Sequence, residues 1–268
     1  MIKGLFARAN RYIVRRLDKQ QRALSRLAKM PRYSAGTFAW EDKELHFPDA
    51  NSFRFMLSEI FKEQIYKFES GNPAPLIIDC GANIGMSVIY FKQLFPASEI
   101  IAFEPEKKIF GYLQRNTDTL GLKGVQLVNK AVWKEKTTLQ FSSEGADGSR
   151  ISSIGNIEGE KPVYNVEAVQ LSDYIQRDVE LLKLDIEGAE LEVLKEVEPK
   201  LGLVKRMFIE YHAPAEGAQE LDTLLSILKR NNFRYYIDSS FRMRSSPFVD
   251  KEIFLSFSFF LNIYAERN

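Results

Sequence analysis

A chain of 268 residues with 45% hydrophobic content can bury one sizeable core and a small appendage, which excludes a disordered or fibrous protein. With 37 Lys+Arg against 36 Asp+Glu the formal charge is +1, so there is no global case for a nucleic-acid partner and any electrostatic function must be local. The single cysteine, Cys80, excludes an internal disulfide framework and a cysteine-built zinc cluster and fits a reducing compartment, by default the cytoplasm; no apolar run reaches the roughly 18 residues of a spanning helix.

Residues 1–32 form a basic extension. "MIKGLFARANRYIVRRLDKQQRALSRLAKM" carries nine Lys/Arg against the single acid Asp18, and Ile2, Leu5, Phe6, Ile13 and Leu17 recur near helical spacing. This predicts a basic amphipathic helix, without the continuous apolar segment and cleavage site of a signal peptide. Two readings stay open: a helix docked on its own domain, or peripheral contact of residues 1–30 with an anionic inner membrane surface.

Residues 33–74 are a lead-in, in which "TFAWEDKELHF" reads as a hairpin and "SFRFMLSEIFKEQIYKF" as an aromatic-rich amphipathic helix. "ESGNPAP" ends that helix and forces an extended entry into a domain spanning 75–268. There the pattern alternates: strand LIIDC and a helix from Ile84 to Leu94; strand EIIAFEP and a helix from Glu106 to Leu120; then strand VQLVNKAV. The Gly/Ser/Asp-rich "SSEGADGSRISSIGNIEGEKP" reads as a mobile loop in a hairpin-like insertion, followed by a short helix from Ser172 to Gln176. ELLKLDIEG, a helix from Ala189 to Leu201, RMFIEYH and a helix from Ala218 to Asn231 continue the alternation. It predicts an α/β fold with a mostly parallel sheet covered on both faces. FRYYID and EIFLSFSFFLNIYAE have no helical pattern between them, so the last strand is expected to be antiparallel.

Ligands of open α/β sheets lie beyond the carboxyl ends of the strands. The first of these strands ends in Asp79 and a turn with Gly81 and Gly85, followed by a helix start able to receive an anion. The spacing is neither a dinucleotide fingerprint nor a P-loop, which counts against a nicotinamide or ATP enzyme. The next strand ends in Glu104, about twenty residues on, where a carboxylate can accept both hydroxyls of a ribose. "KLDIEGAE" and "FIEYH" bring Asp185, Glu187, Glu210 and His212 to one rim; Glu190, within a helix, is read as an acid favoured by the helix dipole. Cys80, at an apolar strand end, reads as a buried small residue, and His46 as structural.

In this order and spacing, "IIDCGANIG", "AFEPE", "NKAV", "LKLDIEGAE" and "IEYH" resemble the FkbM family of S-adenosylmethionine-dependent methyltransferases, over Ile77 to His212. The resemblance implies a class I methyltransferase (Rossmann-like) seven-stranded sheet with an antiparallel last strand. It also implies methylation of a hydroxyl on a sugar, polysaccharide or natural-product scaffold. Carried over, Asp79, Gly81, Ala82, Asn83 and Gly85 line the methionine end of the cofactor, Glu104 holds the ribose, and Lys130, Ala131 and Val132 border the adenine. The lead-in then caps the cofactor side or shapes the acceptor pocket.

Methyl transfer to oxygen requires alignment and a proton acceptor, for which His212 and Asp185 are the candidates, with Glu210 beside them. A second option uses the same rim to hold Mg²⁺ through Asp185, Glu210 and His212 or Glu187. The competing readings are a catalytically silent binding protein on the same fold, or another nucleotide-cofactor enzyme.

Overall fold

The computed structural model describes residues 24–142, 150–151, 163–213, 218–238 and 260–267. Residues 1–23 of the predicted basic extension, most of the Gly/Ser/Asp-rich stretch and the first part of the last predicted strand lie outside them. Among the described residues no helix is long and apolar enough to cross a membrane.

The lead-in hairpin pairs β1 (Gly36–Trp40) with β2 (Lys43–Phe47) in antiparallel register. Helix α1 (Ala50–Met56) is capped by Asp49, whose Oδ2 accepts the Ser52 N–H at 3.0 Å and the Ser52 hydroxyl at 2.7 Å. Phe53 packs between Phe38 and Phe47, with ring centroids 5.3 and 4.7 Å away. The helix widens into a π-helix over Leu57–Glu63 and stops at Gln64 in left-handed conformation, short of the expected end at Phe68. The remaining aromatics turn back onto the domain instead: Tyr66 meets Phe208 edge-on at 4.8 Å, and Phe68 packs on Phe95 at 4.8 Å. Burying such rings stabilises by about 1.5–3 kcal/mol each, more than a further helical turn at the surface contributes.

Chain order then gives β3 (Leu76–Cys80), α2 (Met86–Leu94), β4 (Glu99–Phe103), α3 (Lys107–Leu120) and β5 (Val125–Val128). The expected single strand VQLVNKAV divides here. After Val128 the Asn129 side chain donates to the Glu104 and Pro105 carbonyls at 2.8 and 3.1 Å, and the chain leaves the sheet. Strand β6 (Ala131–Trp133) joins a smaller four-stranded sheet with β7 (Thr137–Ser142), β8 (Arg150–Ile151) and β9 (Val163–Gln170), in the order β6-β9-β7-β8.

A 3₁₀ turn over Leu171–Tyr174 leads back to the main sheet through β10 (Leu181–Leu184), α4 (Glu190–Val197), β11 (Arg206–His212), α5 (Leu221–Arg230), β12 (Phe233–Asp238) and β13 (Phe260–Arg267). The sheet order is β12-β13-β11-β10-β3-β4-β5, with β13 antiparallel to both neighbours and the remaining pairs parallel, as the pattern predicted. Strands such as β3 and β10 are apolar at nearly every position because both faces are covered. Alternation sorts their side chains: Ile78, Leu182 and Ile209 face a core with α4 and α5, while Ile77, Ile100 and Phe208 face α2 and the lead-in aromatics. The carboxyl ends of β3, β4, β10 and β11 thereby share one edge.

Candidate functional site

The turn after β3 holds Gly81 at φ 85°, Asn83 at 48° and Gly85 at 91°. A Cβ on Gly81 would lie 1.8 Å from the Asp185 carbonyl oxygen, so only glycine lets this turn rest directly against the end of β10. Its amides are committed within the protein. Gly81 and Ala82 donate to the Phe103 carbonyl at 3.1 and 2.9 Å, Asn83 to Glu104 Oε2 at 3.1 Å, Ile84 to Asn83 Oδ1 at 2.8 Å, and Gly85 to the Ala82 carbonyl at 2.9 Å. A turn with its N–H groups occupied is no phosphate cradle, in line with the absence of P-loop spacing.

Glu104 sits at the end of β4, 6% exposed, its Oε1 accepting the Glu106 N–H at 2.8 Å and its Oε2 that of Asn83. Burial pushes its pKa up to about 8, against the pull of those two N–H donors. Each oxygen keeps a further lone pair, so the carboxylate can still receive two hydroxyl donors.

Asp79 is placed under the turn. Its Oδ2 accepts the Ser87 hydroxyl at 2.5 Å and its Oδ1 lies 3.2 Å from Lys183 Nζ, in a fully buried position. The parallel register sets Lys183 beside Asp79 on the face covered by Tyr66, whose ring centroid is 5.7 Å from the ammonium. Lys183 Nζ also donates to the Gly81 carbonyl at 2.8 Å and lies 3.2 Å from Asp185 Oδ2. Burial alone would lower its pKa, but the Asp185 and Asp79 carboxylates hold it well above the usual lysine value. One buried ammonium thus ties the turn, β3 and the end of β10 together. The expected adenine-side residues are spread: Ala131 and Val132 are buried in β6, and Lys130 forms an ion pair with Glu167 of β9 at 2.8 Å.

At the ends of β10 and β11 the predicted rim is assembled. His212, buried on β11, has Nδ1 at 3.0 Å from Glu190 Oε1. Glu190 is 1% exposed and its Oε1 also accepts the Ile186 and Gly188 N–H groups at 3.1 and 3.0 Å. A carboxylate so held is an acceptor, which places a proton on Nδ1 and turns Nε2 to the rim, 3.2 Å from Glu210 Oε2 and 3.7 Å from Glu187 Oε2. Burial opposes the imidazolium, but Glu190, Glu210 and Glu187 raise its pKa well above 6.5. Burial and then Asp185 lift Glu210 to about 7; burial lifts Glu187 to about 8 despite His212. Asp185, Glu187 and His212 offer ligand atoms that all lie within 4.8 Å of one another. Glu210, also expected as a ligand, stands outside that mutual set and meets the site through His212.

Two participants escaped sequence reasoning. Glu190 is the buried partner of the imidazole, not only a first-turn acid. Glu59, in the π-helix of the lead-in, is lifted to about 8 by burial and by the charges of Glu210 and Asp185, so the lead-in brings a further carboxyl near these acids. Its spacing carried no signal, although a conformation as rare as a π-helix often marks a site. Cys80 is buried, with a thiol pKa raised well above normal by that burial, so it is no nucleophile. His46 exchanges backbone hydrogen bonds with the Asn116 side chain at 2.8 and 3.0 Å, a structural position.

A family model described as "Methyltransferase FkbM domain" matches residues 79–235. The chain is similar to "Methyltransferase 1" of Beauveria bassiana, 29% identical over 163 residues that cover 53% of this chain and 66% of that protein. It is similar to the "2-O-methyltransferase NoeI" of Sinorhizobium fredii, 23% identical over 177 residues, 58% of this chain and 72% of that one. Among solved structures it matches a "Methyltransferase FkbM" from Methylobacillus flagellatus KT, with TM-score 0.50 and 16% identity over 78% of this chain and 47% of that one. The alignment thus spans about half of that protein and just under two thirds of the Beauveria relative.

Proposed function

This chain belongs to the FkbM methyltransferase family, and on that footing we propose that it transfers the methyl group of S-adenosylmethionine to a hydroxyl of a sugar or natural-product scaffold. The observation that carries the proposal is the junction of two unlike half-sites. A buried carboxylate suited to ribose hydroxyls, Glu104, lies across the Gly81–Gly85 turn from a rim of acids and an imidazole, and the turn touches that rim at Asp185.

S-adenosylmethionine supplies an electrophilic methyl on a sulfonium. Glu104 accepts the two ribose hydroxyls, while Ala82, Asn83 and the two turn glycines flank the methionine portion. Asp79 acts beneath them, holding Ser87 and Lys183 and through Lys183 the Gly81 carbonyl. The main chain of Lys130–Val132 borders the adenine while the Lys130 ammonium is held by Glu167. On the acceptor side Glu210 takes the hydroxyl proton. It is more accessible than Glu190, whose carboxylate is sealed by backbone N–H groups, and it is oriented by His212. Asp185, fixed by Lys183, and Glu59 receive neighbouring hydroxyls of the acceptor. With the cofactor bound, Glu210 would take the proton of the acceptor hydroxyl as its oxygen bonds to the methyl carbon, the carbon–sulfur electron pair leaving with the thioether. The 2-O-methyltransferase relative supports oxygen as the acceptor atom.

The test is methyl transfer from labelled S-adenosylmethionine to a panel of sugars and polyols. Label in product, lost in Glu104→Ala and reduced in Glu210→Gln, supports the proposal; cofactor binding with no transfer to any hydroxyl acceptor would favour a catalytically silent binding protein.

A further inference from the structure

We propose that Asp185, Glu187 and His212 bind one divalent transition cation of the Mn²⁺, Co²⁺ or Zn²⁺ type, with Glu190 as the carboxylate that orients the ligating imidazole. The site itself stands on geometry; its use in catalysis rests on the methyltransferase reading above.

Ligand atoms bound at about 2.0–2.3 Å to one ion must lie roughly 3 to 4.5 Å from each other. The atoms offered by Asp185, Glu187 and His212 are all within 4.8 Å of one another, and His212 Nε2 is 3.7 Å from Glu187 Oε2. Small side-chain adjustments bring that set onto a single ion.

The imidazole supplies the second argument. Metal-ligating histidines donate their other N–H to a carboxylate or carbonyl, which fixes the tautomer and the ring plane. His212 Nδ1 does this to Glu190 at 3.0 Å, and Glu190 is locked by two backbone N–H groups, so Nε2 is held toward the carboxylate rim, 3.2 Å from Glu210, 3.7 Å from Glu187 and within the 4.8 Å set that includes Asp185. Local charge points the same way. Asp185, Glu187, Glu190, Glu210 and Glu59 converge here, while the neighbouring cation, Lys183, is shared with Asp79 and the Gly81 carbonyl. An imidazole among the ligands favours first-row transition ions over Mg²⁺, which takes oxygen and water. This revises the Mg²⁺ option and removes Glu210 from the ligand set. Glu210 Oε2, 3.2 Å from His212 Nε2, gives up that contact when Nε2 ligates the ion and is left beside it to accept a proton from an acceptor hydroxyl drawn there.

The experiment uses the full chain, freed of metal with a chelator and titrated by calorimetry with Mn²⁺, Co²⁺ and Mg²⁺, with the visible spectrum recorded for Co²⁺. Expected is one ion per chain, with Mn²⁺ and Co²⁺ at least about tenfold tighter than Mg²⁺ and a Co²⁺ band that changes in His212→Gln. Glu190→Gln weakens binding by about 10–100-fold without abolishing it. Should His212→Gln fail to fold, Glu187→Gln, on a partly exposed side chain, carries the test and lowers affinity by at least about tenfold. Absence of binding at millimolar metal, or binding unchanged in both Glu187→Gln and Asp185→Asn, would overturn the site in favour of an imidazolium bridging Glu190 and Glu210. S-adenosylmethionine titrated into the same samples separates the two claims. Cofactor binding without ion binding sinks only the cation site, and ion binding without cofactor binding sinks only the methyltransferase reading.

Discussion

On the proposed role of Glu104 at the ribose, cofactor binding should depend on pH in a direction that follows from the surroundings of this carboxyl. Burial raises its pKa to about 8, with Glu106 adding to that and the Asn83 and Glu106 N–H groups and Lys183 opposing it. At pH 7 the free protein therefore holds Glu104 largely protonated. In the proposed complex two ribose hydroxyls would donate to the ionised form, so binding would expel that proton. Affinity for S-adenosylmethionine should rise from pH 6 to pH 8 by up to about tenfold per unit and then level off. At pH 7 it lies about tenfold, or ~1.4 kcal/mol, below the plateau. Calorimetry in buffers of different ionisation heat should show close to one proton released per cofactor at pH 7. The ligand's own amino group titrates near pH 8, so the Glu104→Gln variant provides the baseline. The difference between parent and variant isolates Glu104. Equal proton release and equal pH dependence in the two proteins would exclude Glu104 as the group that loses a proton on binding.

The same raised pKa has a consequence for the ligand-free fold. A carboxyl whose folded pKa exceeds its unfolded one stabilises fully below the unfolded value and loses that contribution as pH rises through the folded one, so the apo melting temperature should fall from about pH 5 to 8, and saturating cofactor should flatten the decline. Lys183→Met strands the buried Asp79 carboxylate and should cost about 3–5 kcal/mol in denaturant unfolding, part of which returns in the Lys183→Met/Asp79→Asn double variant; a single variant as stable as the parent would contradict the ion-pair account. Gly81→Ala forces a Cβ into the Asp185 carbonyl at positive φ, and it should lower stability by at least about 1–3 kcal/mol and abolish cofactor binding, as read by thermal melting and calorimetry. Glu210→Gln should lower kcat by about 10²–10⁴-fold while leaving the cofactor Kd within a factor of two; an equal loss in both would remove Glu210 from the proton-accepting role.

What was legible in the chain is what depends on local pattern. Strand–helix alternation gave the parallel order, the missing crossover before the last strand gave the antiparallel β13, and the strand-end positions of Asp79, Glu104, Asp185 and His212 brought them to one edge. What escaped depends on partners distant in sequence. The helix expected to reach Phe68 ends at Glu63 because Tyr66 and Phe68 gain more by packing on Phe208 and Phe95. VQLVNKAV looks like one strand because the hydrogen bonds of the Asn129 side chain to Glu104 and Pro105 do not show in hydropathy. Lys183 interrupts an apolar strand without explanation until Asp79 appears beside it in register, and Glu59 is an ordinary helix acid until the lead-in folds over the rim.

The most direct test of the account is a crystal structure of the full chain with S-adenosylhomocysteine. Both ribose hydroxyls are expected within about 2.6–3.2 Å of the Glu104 carboxylate, with the amino-acid end along the Gly81–Gly85 turn and the sulfur facing Asp185 and Glu210. A nucleoside bound away from Glu104, or a sulfur directed away from that rim, would contradict it.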